Sequence, residues 1–256
     1  QDYIAPIKGE QKWGYTPAYF LSARFNLHRN YAEHYLEKGD LTNRDINHIL
    51  AGFDREKATA FDASYADQKY FEYKNNIIDD GEAFKALKDE FAQKKTLLLA
   101  PGTSIKERNV EIQRYIDEKK PIIISINFIP EDYKVDYAFF SNARRFVQAV
   151  DSNCKLIVTS NIETDKEAYK LNYNSLASSF DQGYNSLVML LKLLSDLGLN
   201  NITVAGADGY ADGGKNYYKS SLKTTASCDG NYNAAVKRAI QRIGINVDYL
   251  TESAYK

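Results

Sequence analysis

The chain has 256 residues, 44% hydrophobic and 26% charged, and its 33 Lys and Arg stand against 34 Asp and Glu for a net charge of −1. Those proportions exclude a disordered or polyelectrolyte chain, and the even balance excludes the one-sided basic excess of a nucleic-acid-binding face. No apolar run reaches the ~20 residues that cross a bilayer; the longest candidate, 186–199, is interrupted by Lys192, Ser195 and Asp196.

Residues 1–95 read as helical. Tyr19, Phe20, Ala23 and Leu27 have helical spacing, and the pattern runs on through Tyr31, Tyr35 and Leu36 to a stop at Gly39. A second helix is expected after Asp40, with Thr42 and Asp45 in capping-box spacing and Ile46, Ile49, Leu50 and Phe53 on its apolar face. A third is expected over 64–73 and a fourth over 81–94. From residue 95 the pattern changes. Short β-rich runs at 96–100, 122–126, 137–140, 155–159, 202–205 and 247–250 alternate with helical segments at 107–119, 142–150, 184–197 and 231–243. Such alternation predicts an α/β fold, a mostly parallel sheet with helices on both faces, behind an N-terminal all-helical segment. The expected domains are therefore 1–95 and 96–256.

The two cysteines, Cys154 and Cys228, form no CxxC pair, which fits a reducing compartment and a cytoplasmic location. The three histidines, His28, His34 and His48, all precede residue 49, so the α/β part has no imidazole for base or metal chemistry. His28 and His34 lie six apart, not at the i, i+4 spacing of a helical metal pair, and read as packing or surface residues. No metal site is expected within this chain. It opens on Gln1 and reads as a piece of a longer parent.

The first β run leads into Pro101-Gly102-Thr103-Ser104 and then a helix. Gly102 permits a tight turn, and Ser104 and Glu107 have capping-box spacing. The amides of 102–105 at a helix N-terminus would suit an anion, phosphate above all, although a capped helix without a ligand accounts for the same residues. The chain lacks the GK[ST] ending of a P-loop and the three glycines of a dinucleotide fingerprint. Asn127 and Asn142 each follow a β run, where parallel sheets meet their ligands. An Asn there either forms a turn or bonds a ribose or base. Arg144 and Arg145 follow; both read as solvated helix-start charges, or one reaches a phosphate. The β run at 202–205 leads into Gly206-Ala207-Asp208-Gly209-Tyr210, with Asp212, Gly213, Gly214, Tyr217 and Tyr218 beyond, a composition suited to a ligand-covering loop or to a plain exposed one.

Taken in order, these landmarks resemble the sialyltransferase-like Rossmann family, meaning the bacterial CMP-sialic acid transferases and the related 6-hydroxymethylpterin pyrophosphokinase-like domains, over about 96–250. Ala100-Pro101-Gly102-Thr103-Ser104 looks like the GxGPS loop. Asn127, Phe140-Ser141-Asn142 and Val158-Thr159-Ser160-Asn161 are similar to its successive strand ends. Asp181-Gln182-Gly183-Tyr184-Asn185-Ser186 looks like its (T/S)(S/T)G turn, and Val204-Ala205-Gly206-Ala207-Asp208-Gly209-Tyr210 its LxGxDxY segment. The resemblance implies a CMP-type nucleotide or nucleotide-sugar ligand. Gly102, Thr103 and Ser104 would hold phosphate, Asn127 and Asn142 the ribose or donor sugar, Gln182 and Gly183 would flank the base, and Tyr217 or Tyr218 would meet the phosphate. The transferases place a general-base His after LxGxDxY, and this chain has none there. Either Asp208 or Asp212 takes its place, or the domain binds without transferring.

The stretch Lys12-Trp13-Gly14-Tyr15-Thr16-Pro17-Ala18-Tyr19-Phe20-Leu21, with Asn26-Leu27-His28-Arg29-Asn30-Tyr31 after it, resembles the tail behind the barrel of HMG-CoA lyase-like enzymes related to 4-hydroxy-2-oxovalerate aldolase. That implies a parent 2-oxo acid aldolase whose barrel, with its divalent metal, lies outside this chain. Three readings follow: a glycosyltransferase-like nucleotide-sugar domain attached to that aldolase; a pterin pyrophosphokinase-like Mg-ATP enzyme using Asp208 and Asp212; or a non-catalytic assembly or regulatory module. The aromatic residues Tyr19, Phe20, Tyr31 and Tyr35 point to a homodimer through the N-terminal helices.

Overall fold

The computed structural model describes residues 24–41, 45–46, 49–50, 53, 58–149, 152–177, 185–210, 217–219 and 230–256. The described residues fall into two compact units: one runs to Ile77 and takes Ala177, and the other holds the rest.

In the first unit, α1 (Arg24–Glu37) and α2 (Ala63–Asn75) pack together. Tyr31, Ala32 and Tyr35 lie on one face of α1 and bury against Ile46, Ile49, Leu50 and Ala66. Each phenol brings its polar tip to a carbonyl, Tyr31 Oη donating to Ala60 O and Tyr35 Oη to Ala66 O, both at 3.0 Å. Buried tyrosines need such partners. Tyr31 and Tyr35 are 1% and 0% exposed, so of the four aromatic residues read as an interface these two form this unit's own core. Tyr19 and Phe20 lie outside the described residues. Asp62 caps α2 by accepting from the Ser64 and Tyr65 amides. Asp45, Ile46, Ile49 and Leu50 are helical, as their spacing predicts. His34 pairs with Asp67 at 2.9 Å, and Lys38 shares that carboxylate at 2.7 Å.

The second unit begins with α3 (Gly81–Phe91), the fourth predicted helix. It belongs with the sheet, so the compact units part at Ile77 and not at residue 95. The cause is on its inner face. Leu87 and Phe91 are fully buried, and the Phe91 ring lies 5.0 Å from that of Tyr137. Glu90 accepts from Tyr137 and Tyr169 and pairs with Lys155 at 2.7 Å.

Seven strands follow: β1 (Thr96–Leu99), β2 (Ile122–Ile126), β3 (Tyr137–Phe140), β4 (Lys155–Thr159), β5 (Ala168–Leu171), β6 (Asn201–Ala205) and β7 (Asn246–Tyr249). They form one sheet in the order β5-β4-β3-β2-β1-β6-β7, and every pairing is parallel. The helices around it are α4 (Ser104–Glu107), α5 (Asn109–Lys119), α6 (Ala143–Phe146), α7 (Tyr173–Leu176), α8 (Ser186–Asp196) and α9 (Gly230–Ile243). All four residues of β1 and of β3 are buried, so side chains on both faces of these strands are covered, as a parallel sheet requires. Leu97 and Leu99 pack with Ile112 of α5 and Ile123 of β2 in one cluster. The predicted helix at 107–119 is interrupted at Arg108, where φ is −108° and ψ is 22°. That at 142–150 is α6 followed by a single 3-10 turn, Val147–Ala149.

Strand order fixes where a ligand can lie. From β1 the chain steps outward through β2, β3, β4 and β5, then returns to the other side of β1 with β6. The loops leaving β1 and β6 therefore diverge at their C-terminal ends, the switch point where open α/β sheets hold ligands. No helix among the described residues is long and apolar enough to cross a membrane.

Candidate functional site

Two glycines bring the β1 and β6 exits together. Ala100 N donates to Ala205 O and Gly102 N to Gly206 O, each at 2.9 Å. A Cβ on Gly102 would lie 2.3 Å from Gly206 O, and one on Gly206 would lie 2.2 Å from Ala100 O at a φ of +77°. Only glycine permits that approach.

Immediately after this contact, Asp208 turns its carboxylate onto the start of α4. Its Oδ2 accepts from the Ser104 amide at 3.0 Å and the Thr103 hydroxyl at 3.2 Å, and its Oδ1 accepts from the Ser104 hydroxyl. Thr251 ties the same knot from the C-terminal end, its hydroxyl hydrogen-bonded with Ser104 Oγ and accepting from Gly206 N, both at 3.0 Å. The predicted capping box is not formed. Thr103 is the residue before α4, it has helical φ, and its side chain makes no cap bond; the Ser104 hydroxyl answers Asp208 instead. The turn expected to face a phosphate is thus already supplied with an anion by its own chain. A second negative charge 4 Å from that carboxylate would meet a repulsion of about 4 kcal/mol near a protein surface.

Beside this knot lies a cavity of about 190 Å³ at the switch point. Of the site residues named from the sequence, Gly102, Asn127, Asn142, Asp208 and Tyr217 line it, and so does Arg145, one of the two arginines offered for a phosphate. Thr103, Ser104 and Tyr218 do not. Gln182, Gly183 and Asp212 lie outside the described residues.

Asn127, just past β2, is 9% exposed with φ at +57°. Its Oδ1 accepts from the Ser141 amide at 3.0 Å and its Nδ2 donates to Ser186 Oγ, while Ser141 Oγ and Ser186 Oγ are 2.7 Å apart. One side chain therefore ties the ends of β2 and β3 to the start of α8. Asn142 is exposed and caps α6, its Oδ1 accepting from the Arg144 amide at 3.0 Å. The two neighbouring tyrosines are separated by function. Tyr218 is buried with its ring 5.5 Å from Phe128; its hydroxyl donates to Asp132 at 2.8 Å and accepts from the Glu131 amide at 3.2 Å. Its own amide donates to Pro101 O at 2.7 Å, and an isolated bridge joins Gly102 to Tyr217. Those contacts hold Tyr217 at the cavity wall.

The structure adds lining residues that sequence reasoning did not assign. Asn185 caps α8 through the Leu187 amide at 3.0 Å and donates to the Tyr210 hydroxyl at 3.1 Å. Asn233 of α9 grips both backbone groups of Tyr210 at 2.8 Å. Burial holds the Tyr210 phenol well above its ordinary value, so it stays protonated. Tyr255 arrives from the C-terminal segment, which is pinned to the β6 exit where Ser253 Oγ donates to Ala207 O at 2.6 Å and Ala254 N to Asp208 O at 3.2 Å. Arg145 is the cation of the described lining. Burial lowers its guanidinium from the usual value, and its Cζ lies 5.9 Å from the Tyr217 ring centroid. Asn185, Ser186 and Tyr210 stand inside stretches the sequence marked; Tyr255 carried no local signal.

Among the described residues no group of three or more His, Cys, Asp and Glu side chains could hold a metal ion. No family model, curated protein or solved structure matches the chain. The fold and site define a Rossmann-like α/β protein with a polar cavity at the switch point of its sheet.

Proposed function

We propose that the sheet unit binds a nucleotide or nucleotide-sugar of the CMP type in this cavity. One observation carries the reading: loops from the C-terminal ends of β1, β2, β3 and β6 converge on one polar, tyrosine-walled cavity at the switch point. At about 190 Å³ it is smaller than the roughly 300–1,000 Å³ of sites that enclose a whole drug-sized ligand. It suits a ribose and phosphate, with base and sugar extending past the rim. The ordered strand-end residues Gly102, Asn127 and Asn142 support the same assignment.

Binding is favoured over group transfer. The transfer and Mg-ATP readings call on Asp208 or Asp212; Asp208 already accepts three hydrogen bonds from Thr103 and Ser104, and Asp212 lies outside the described residues. The role of Asp208 in the proposal is to hold the loop that carries Gly209 and Tyr210. The covalent partner is a 2-oxo acid aldolase barrel, on the resemblance of the segment before Tyr31 to an aldolase tail; a coding sequence upstream of Gln1 without a barrel removes that part.

Calorimetric titration with CMP, CDP and CMP-sugars tests the central claim. Saturable heat with one site per chain is expected. Silence from all three at millimolar concentration removes it, and a melting shift with Mg-ATP alone transfers the assignment to the pyrophosphokinase-like reading.

A further inference from the structure

We propose that Arg145 is the residue on which the cavity seats a ligand phosphate. The inference rests on the nucleotide reading above and changes which group does the recognising. The amides of the Gly102 turn are engaged elsewhere, Gly102 N with Gly206 O at 2.9 Å and Ser104 N with Asp208 Oδ2 at 3.0 Å. The Asp208 carboxylate stands over that turn, so a phosphate there would meet like charge. Arg145 enters the same cavity from α6, after β3, and its Cζ lies 5.9 Å from the Tyr217 ring centroid. An aromatic face at that distance steadies a guanidinium. The guanidinium offers paired N–H donors that match two phosphate oxygens in one plane. Asn142 caps the same short helix and lines the cavity too, with only its Oδ1 engaged in the cap, so its amide group can donate to a third oxygen. Arg144, one residue earlier, is exposed and does not line the cavity, which makes it the natural control.

The test compares CMP with cytidine by calorimetry on the full chain and on R145Q, R145K and R144Q. The wild type is expected to bind CMP at least tenfold more tightly than cytidine. R145Q should erase that preference, binding CMP no more tightly than cytidine. R145K, which keeps the charge but loses the planar fork, should retain part of it, and supplies the answer if R145Q does not fold. R144Q should behave as wild type. The proposal is overturned if the wild type binds CMP and cytidine equally, if R145Q keeps the preference, or if R144Q loses it as completely. If neither nucleoside nor nucleotide binds the wild type, the nucleotide reading fails on its own. Inorganic pyrophosphate then decides: binding that vanishes in R145Q supports the Arg145 assignment, and no binding overturns it.

Discussion

The Asp208 carboxylate accepts the Ser104 amide at 3.0 Å across 104 positions of sequence, and in doing so locks the β6 exit onto the start of α4. Replacing it with Asn leaves an amide nitrogen where an oxygen accepted. Buried groups that lose a partner cost about 1–3 kcal/mol, and a chain of this size loses roughly 2–4 °C of melting temperature per kcal/mol. D208N is therefore expected to melt several degrees below wild type. A thermal scan in which the two coincide would show the knot to be idle.

The same loops make a sharper prediction about glycine. G206A would put a Cβ 2.2 Å from Ala100 O, on a backbone with φ at +77°. Gly198 has a similar φ, +94°, but a Cβ there meets nothing within 4 Å. The strained backbone alone costs about 1–2 kcal/mol, so G198A should lose only that much. G206A must add the clash with Ala100 O, a backbone atom of a residue whose own amide is bonded to Ala205 O. Urea midpoints for the pair should differ clearly, with G206A the lower; equal midpoints would mean that the close approach contributes nothing.

Much of this architecture was legible in the chain. β2, β3 and β4 begin and end at the predicted residues, because these compact runs are mostly apolar, β-branched or aromatic, Ile122–Ile126 being bounded by Pro121 and Asn127. β5 was not legible. Ala168–Leu171 has no β-branched residue, lies at the sheet edge and is only half-buried along most of its length, and the eight residues between β4 and β5 contain no helix to announce a crossover. At the site, strand-end position identified Gly102, Asn127 and Asn142 as lining residues. It failed for Thr103 and Ser104, because what orients their hydroxyls is Asp208, and for Tyr255, because only tertiary bonds to Ala207 and Asp208 bring that segment back. Local pattern reads what local geometry determines, and these contacts are not local.

Glu90 gives a pH-dependent prediction. Burial alone would raise its carboxyl, but hydrogen bonds from Lys155, Tyr137 and Tyr169 outweigh that and hold it at about 2, against an ordinary 4.5. A depressed folded value stabilises the native state above the unfolded value and loses that contribution as pH falls through the folded one. E90Q is expected to be less stable than wild type by about 1–2 kcal/mol at pH 7, discounted for the partly exposed lysine. The gap should narrow between pH 4.5 and pH 2. Denaturation curves at pH 7, 4 and 2.5 would check it, and a gap that stays constant or widens in acid would assign the loss to packing.

Asn127 combines a backbone and a side-chain demand, and two substitutions separate them. At φ +57° a residue with a Cβ occupies the left-handed region, which asparagine tolerates better than alanine and glycine occupies freely. N127G therefore removes only the bonds to the Ser141 amide and the Ser186 hydroxyl. It should cost about 1–3 kcal/mol for leaving those buried groups unpaired. N127A loses the same bonds and adds backbone strain of about 1 kcal/mol, so it should unfold at lower urea than N127G. Because the side chain fixes the end of β2 against the start of α8, both variants should also weaken CMP binding, and by similar factors. If N127A matches N127G in stability, the backbone demand is absent; if both match wild type, the network joining β2, β3 and α8 does not hold the cavity wall.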